Sequence, residues 1–196
     1  MDNPYRLAKF LQSGSKLSQL PSNARIEVAF IGRSNAGKSS VLNTLTQQKN
    51  LAKTSKTPGR TRLINLFEIK EHEHLVDLPG YGYAEVPASV KREWEATLHE
   101  YLEKREALRG LIVVMDCRHP LKPFDISMIT WAQEAELNVH LLLNKIDKLS
   151  KSEAAKVLSE VRKIYPETPE LSSQTFSTQT GFGLKELIGV LNHWFK

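Results

Sequence analysis

Residues 32–39, Gly32, Arg33, Ser34, Asn35, Ala36, Gly37, Lys38 and Ser39, spell the G-x-x-x-x-G-K-S phosphate-binding pattern. The glycine-rich turn leaves successive backbone N–H groups pointing inward at the β- and γ-phosphates, where the N-terminus of a following helix adds positive potential. Lys38 puts a point charge on the β/γ oxygens, and the Ser39 hydroxyl is the expected first protein ligand of a Mg²⁺ that shares them. By itself the pattern specifies a nucleoside triphosphate, and neither its base nor its fate. The setting supports it. The apolar run IEVAFI at 26–31 reads as a buried strand, and Val41, Leu42 and Leu45 recur at helical spacing after it, so strand and helix flank the turn as the chemistry requires.

The base is read further along. A second apolar run, LNVHLLL at 137–143, ends in Asn144, Lys145, Ile146 and Asp147, the N-K-x-D pattern. A carboxylate only accepts hydrogen bonds, so Asp147 can take the paired N1–H and N2–H₂ donors of guanine, whereas adenine has an acceptor at N1 and no 2-amino group. Sites built on such a contact reject the wrong ligand by about 10⁴–10⁵-fold, because the unmatched group is desolvated without a partner. Asn144 would support the loop and the O6/N7 edge, with the Lys145 stem lying over the base.

Between these motifs, Asp77, Leu78, Pro79 and Gly80 form D-x-x-G at the end of an apolar run. Asp77 is expected behind the Mg²⁺, through water, and the Gly80 N–H at the γ-phosphate. That second contact vanishes on hydrolysis, which is the physical basis of a switch. The polar, basic, turn-rich segment 48–62 reads as a loop whose Thr61 closes over Mg²⁺ and γ-phosphate as the second hydroxyl ligand, with Thr57 as second choice. Lys38, Thr61 and Gly80 are thus the candidate catalytic residues, and Ser39 and Thr61 the candidate metal ligands.

In this order the four motifs make the set of a small GTPase, using GTP/GDP and Mg²⁺. The stretches GRSNAGKSS, KTPGRTRLINLFE and LVDLPGYGYAEVP, with D-x-R-H-P at Asp116–Pro120, resemble the EngB/YsxC family of bacterial GTP-binding proteins over about residues 20–196. The resemblance implies a Ras-like GTPase linked to assembly of the large ribosomal subunit and to cell division and septation. It carries the family's nucleotide contacts onto residues 32–39, onto Gly59, Arg60, Thr61, Arg62 and Leu63, onto 77–80 and 144–147, and onto Phe176, Ser177 and Thr178.

Two departures from the Ras pattern bear on mechanism. Tyr81 follows D-x-x-G, where Ras has the glutamine that orients the attacking water. Slow intrinsic hydrolysis is therefore expected, with water placed by backbone groups, another side chain or a partner. Asn35 resembles the asparagine of potassium-assisted GTPases, which helps hold K⁺, while the turn preference of Asn explains it equally well. The base-capping segment is also irregular. Many GTPases show S-A-K where this chain has Phe176-Ser177-Thr178, so the specificity contact would come from backbone N–H groups or from Ser177.

These residues need elements to hold them. Strands are predicted at about 26–31, 62–69, 73–77, 110–116, 137–143 and 171–176, with helices between them, the clearest over 88–107. Ser150 and Glu153 form a capping box after the base-reading loop. The alternation implies an α/β, Ras-like P-loop NTPase fold: a six-stranded, mostly parallel sheet covered on both faces, with ligands at the strand C-termini. The chain divides into an N-terminal extension, 1–20, and a GTP-binding domain, 21–196.

Composition narrows the rest. Among 196 residues there is one cysteine, Cys117, which excludes an internal disulfide and fits a reducing cytoplasm. Nothing resembles a signal peptide, and no run approaches the roughly 18–20 apolar residues of a spanning helix. A monomer without membrane contact is expected. The net charge of +5 favours an anionic partner beyond the nucleotide. Lys49, Lys53, Lys56, Arg60 and Arg62 concentrate positive charge in the mobile loop, where rRNA contact could be gated by nucleotide state. Two other classes are a P-loop kinase, against which N-K-x-D argues, and a nucleotide-gated protein-binding module with no RNA partner.

Overall fold

The computed structural model describes residues 3–53, 63–81 and 87–196. Thr57, Gly59, Arg60, Thr61 and Arg62 lie outside the described residues, as do Lys56 and 82–86.

Seven strands form one sheet: β1 (Lys9–Gly14), β2 (Ile26–Gly32), β3 (Ile64–Lys70), β4 (Glu73–Asp77), β5 (Leu108–Asp116), β6 (Asn138–Asn144) and β7 (Leu171–Thr175). Their order is β1-β3-β4-β2-β5-β6-β7. The pairs β4–β2, β2–β5, β5–β6 and β6–β7 are parallel, whereas β3 runs antiparallel to both β4 and β1. The sequence reading expected six strands, and β1 corrects it. Its residues, KFLQSG, carry little strand patterning, because an edge strand pairs on one side only and five of these six are not buried. The β3 backbone recruits it, with Ser13 Oγ donating to Asn65 Oδ1 at 2.7 Å.

Five α-helices cover the sheet: α1 (Lys38–Thr46), α2 (Ala88–Lys104), α3 (Pro123–Glu134), α4 (Lys151–Ile164) and α5 (Leu184–Trp194). Alternation along the central strands divides the core. Ala29, Ile31, Leu111, Val113, Leu141 and Leu143 pack with Leu98 and Tyr101 of α2, Met128 and Ile129 of α3 and Val161 of α4. Val28, Phe30, Ile112, Val114 and Leu142 face the other way, onto Leu42 and Leu45 of α1 and Leu187 and Leu191 of α5. Every residue of β2 is buried, as expected of a parallel strand covered on both faces. Gly110 is required where α5 meets the sheet, since a Cβ there would lie 2.6 Å from the Trp194 ring. Ser150 and Glu153 form the expected capping box at the start of α4.

One polar cluster lies at the sheet end opposite the strand C-termini. Glu27 is fully buried and accepts from Arg105 Nη2 at 2.5 Å, Arg105 Nε at 2.8 Å and the Tyr101 hydroxyl at 2.8 Å, with His74 Nδ1 at 3.3 Å. Burial alone would raise this carboxyl. The bonds from Arg105, His74 and Tyr101 outweigh it and hold the group at about 2. The cluster fastens the C-terminal end of α2 to β2, so the helix is anchored far from the candidate site.

Candidate functional site

The C-terminal ends of β2 and β4 and the loop after β6 meet at a cleft of about 340 Å³. Gly32, Arg33, Ser34, Asn35, Gly37, Lys38 and Ser39 line it from the first motif, Leu63 from the segment before β3, Asp77, Leu78, Pro79 and Gly80 from the D-x-x-G turn, and Lys145 from the base-reading loop. Ala36 is buried beneath the turn. Residues 113 positions apart in the chain are thus brought together.

The turn has the backbone the motif requires. Asn35 and Gly37 both take left-handed conformations, φ 66° and 95°, which Asn and Gly adopt at least cost. Gly37 is the N-cap of α1, and a Cβ there would drive into the Asn144 amide nitrogen. Asn144 is why that space is closed: fully buried, it donates from Nδ2 to the Ala36 carbonyl at 2.9 Å. Its Oδ1 is buried with no hydrogen-bond partner among the described residues, a polar atom left over for a bound group.

Lys38 and Asp77 form an ion pair inside the cleft, with side chains 11% and 8% exposed. Burial drives the Lys38 ammonium down to about 7, and the Asp77 carboxylate lies against it as its counter-charge. The lysine expected at phosphate and the carboxylate expected behind Mg²⁺ therefore lie against each other. The Ser39 hydroxyl shares the cleft with them, and hard oxygen donors of this kind suit Mg²⁺ held mainly by phosphate and water.

Asp147 is fixed from the turn that follows β7. The Ser177 hydroxyl, fully buried, donates to Asp147 Oδ1 at 2.6 Å. This bond, with help from Lys148, keeps the Asp147 carboxyl below its ordinary range. The same Ser177 oxygen accepts from the Gln179 and Thr180 N–H groups at 3.2 and 3.3 Å. Phe176 turns its ring into the core, and its amide and carbonyl bond Leu143 and Ile146 at 2.8 and 3.1 Å. It braces the base-reading loop from below, beside Ser177 and Thr178.

The arrangement is a cleft built on the phosphate turn with the N-K-x-D loop at its edge, and comparison with known proteins decides the family. A family model described as a 50S ribosome-binding GTPase matches residues 27–145. The chain is 51% identical over 195 residues to the probable GTP-binding protein EngB of Shewanella sediminis (strain HAW-EB3), covering 97% of this chain and 89% of that protein. The chain belongs to the EngB family of GTP-binding proteins. A second family member, from Coxiella burnetii (strain CbuG_Q212), is 52% identical over 193 residues, covering 98% and 94% of the two chains. Among solved structures, a probable GTP-binding protein engB superposes with a TM-score of 0.68 at 22% identity, covering 85% of this chain and 97% of that one. A variant of Era from Aquifex aeolicus, solved with GDP and AlF4⁻, gives a TM-score of 0.63 at 22% identity over 86% of this chain and 56% of its own. At such identities these two likenesses establish the fold, a P-loop GTPase. As in the EngB family, the domain is a GTPase that binds GTP and GDP.

Two side chains at the site, Asn65 and Asp125, were not singled out in the sequence, and Lys53 was read there only as part of a basic loop. Asn65 and Lys53 line the cleft, and Asn65 stands opposite Asp77 in the β3–β4 register. Asp125, at the start of α3, is 2% exposed and receives the hydroxyl of Tyr81. Tyr81 is accordingly turned into the core, its ring 4.3 Å from that of Phe124 and 6.1 Å from that of Trp94. Its backbone is tied to the phosphate turn, Ser34 N–H donating to the Tyr81 carbonyl at 2.6 Å. The available signal was Asp125 itself, a lone acid in an apolar helix face three residues after a lysine N-cap.

Proposed function

We propose that this chain is a guanine-nucleotide-gated switch that acts in assembly of the large ribosomal subunit and is needed for normal cell division and septation. The observation that carries the switch is the Lys38–Asp77 pair. Phosphate oxygens would draw the Lys38 ammonium off Asp77 and leave that carboxylate for the cation's water shell, so nucleotide entry rearranges the D-x-x-G turn directly.

Residues 32–39 cradle the phosphates, Lys38 holds the β/γ oxygens, and Gly80 offers its N–H to the γ-phosphate. Ser39 and Thr61 would hold Mg²⁺, which when bound neutralises charge on the phosphate oxygens. Asn144 and Asp147 read guanine, Lys145 covers it, and Ser177 fixes the reading carboxylate. Residues 59–63 would add contacts to the nucleotide, and 176–178 would cap the base. Hydrolysis is slow, because the Tyr81 hydroxyl is engaged by Asp125 and its ring by Phe124 and Trp94, leaving no side chain at that position to orient water. Turnover of the purified protein should stay well below about 1 s⁻¹. Equal rates in K⁺ and Na⁺ would assign Asn35 to its left-handed turn alone, whereas a faster rate in K⁺ would add a cation-holding role.

The ribosomal role is supported by the description of the family model that matches residues 27–145 and by the basic residues Lys49 and Lys53 beside the cleft. The protein works in the cytoplasm as a monomer; no helix among the described residues is long and apolar enough to cross a membrane. The test is cosedimentation with purified large subunits or their precursors. Binding should depend on whether GTP or GDP is present and should weaken steeply with salt. Cosedimentation indifferent to both would refute the proposal, and capture of a protein without rRNA on crosslinking would favour a protein-binding module.

A further inference from the structure

The D-x-R-H-P stretch is the one motif of the sequence that the site described above leaves without a task. Asp116 is the last residue of β5 and stands opposite Asn144 in the β5–β6 register. Its Oδ1 accepts the Arg118 backbone N–H and Nε, each at 3.0 Å, and its Oδ2 accepts Arg118 Nη2 at 2.7 Å. The remaining capacity of Oδ2 goes to the Lys145 ammonium at 3.1 Å. That ammonium also donates to the Asn35 carbonyl at 2.5 Å. The Arg118 bonds hold the Asp116 carboxyl far below its ordinary range, so it is a fixed negative charge.

A lysine stem has four methylenes and about 2 kcal/mol of rotamer entropy to lose when it is held flat over a base. Its head must therefore be pinned. Lys145 has two pins from different elements, the Asn35 carbonyl of the phosphate turn and the Asp116 carboxylate of β5. Only Asp116 is charged, and Arg118 clamps it so that it cannot swing away. The backbone adds to the geometry: Lys145 is left-handed at φ 68°, and the N–H of Cys117 donates to the Asn144 carbonyl at 2.9 Å. The end of β5 thus sets both the backbone and the side chain of the base-reading loop.

We infer that Asp116 is a positioning residue for guanine-nucleotide binding, acting through Lys145 to fix the stem over the base and the carbonyl of the phosphate turn beneath it. This rests on Lys145 being the residue that covers the base. Because the base and the turn are common to GDP and GTP, the effect is equal on both. The experiment is stopped-flow dissociation of fluorescent GDP and a GTP analogue from wild type, Asp116→Ala, Asp116→Asn, Lys145→Ala and the Asp116→Ala/Lys145→Ala double variant. A charge-assisted pin at a part-exposed site predicts about three- to tenfold faster release of both nucleotides from Asp116→Ala. KM for GTP should rise by a similar factor with kcat unchanged. Asp116→Asn keeps an oxygen of the same shape and should fall between, which decides the matter if the alanine variant folds poorly. The double variant should release nucleotide no faster than Lys145→Ala alone. Unchanged release from Asp116→Ala and Asp116→Asn, or a loss that adds in full to that of Lys145→Ala, would overturn the inference. Failure of wild type to bind guanine nucleotide would instead overturn the site assignment on which it rests.

Discussion

Removing one hydroxyl tests the base-reading geometry most directly. Ser177→Ala deletes the donor that holds Asp147 Oδ1 at 2.6 Å and the acceptor for the Gln179 and Thr180 N–H groups. A hydrogen bond to a charged group contributes about 1.5–3 kcal/mol. The Ser177 side is fully buried, but the Asp147 carboxylate borders solvent, 15% exposed, so screening places the loss near the lower end, about 1.5 kcal/mol. That corresponds to about tenfold weaker binding of GDP and GTP alike, expressed mainly as faster release. The assay is dissociation of a fluorescent guanine nucleotide, with a thermal melt of the nucleotide-free protein beside it. Alanine fits the buried site without overpacking, so the melt should fall by only a few degrees. Unchanged release would show that Asp147 needs no orienting partner and would refute the reasoning. A large fall in melting temperature with release unchanged would make Ser177 a purely structural residue.

Asp147→Asn replaces the acceptor of the guanine donors with an amide and should move preference from GTP toward xanthosine triphosphate; unchanged GTP affinity in a competition assay would refute the role of Asp147. Gly37→Ala meets both a left-handed φ and the Asn144 amide, at a cost of at least about 1–2 kcal/mol for the backbone alone. It should abolish nucleotide binding in equilibrium titration while the sheet, followed by circular dichroism, stays intact. Glu27→Gln tests the distal cluster. The carboxyl is held at about 2 against an ordinary 4.5, so its stabilisation is present above pH 4.5 and is lost as pH falls through 2. The displacement corresponds to on the order of 3 kcal/mol at neutral pH. Urea unfolding should show the variant weaker by that order at pH 7, with the gap closing between pH 4.5 and 2; a gap independent of pH would assign the loss to packing.

Much of this molecule was legible as sequence. The six strands expected from apolar runs all form, with ends within about two residues of those read, and the Ser150–Glu153 capping box begins α4 as expected. Strand β1 was not legible, because an edge strand exposed along most of its length leaves no alternation to read. Its place comes from the unpaired edge of β3.

The site divides the same way. The phosphate turn is a local object: Gly37 and Asn35 supply left-handed backbone, and the start of α1 supplies N–H groups, so eight consecutive residues suffice to specify its chemistry. Asp147 is legible for a similar reason, since an acceptor-only side chain after a buried strand is matched to the donors of one base. The tertiary structure alone decides which of these groups restrain one another. Lys38 lies on Asp77, Tyr81 on Asp125, Ser177 on Asp147 and Asp116 on Lys145. Each of these contacts joins different elements and depends on strand order and register, which residue types along the chain do not encode locally. Sequence determined the chemistry available at the strand ends, and the parallel sheet, by bringing those ends into one plane, decided how that chemistry is held.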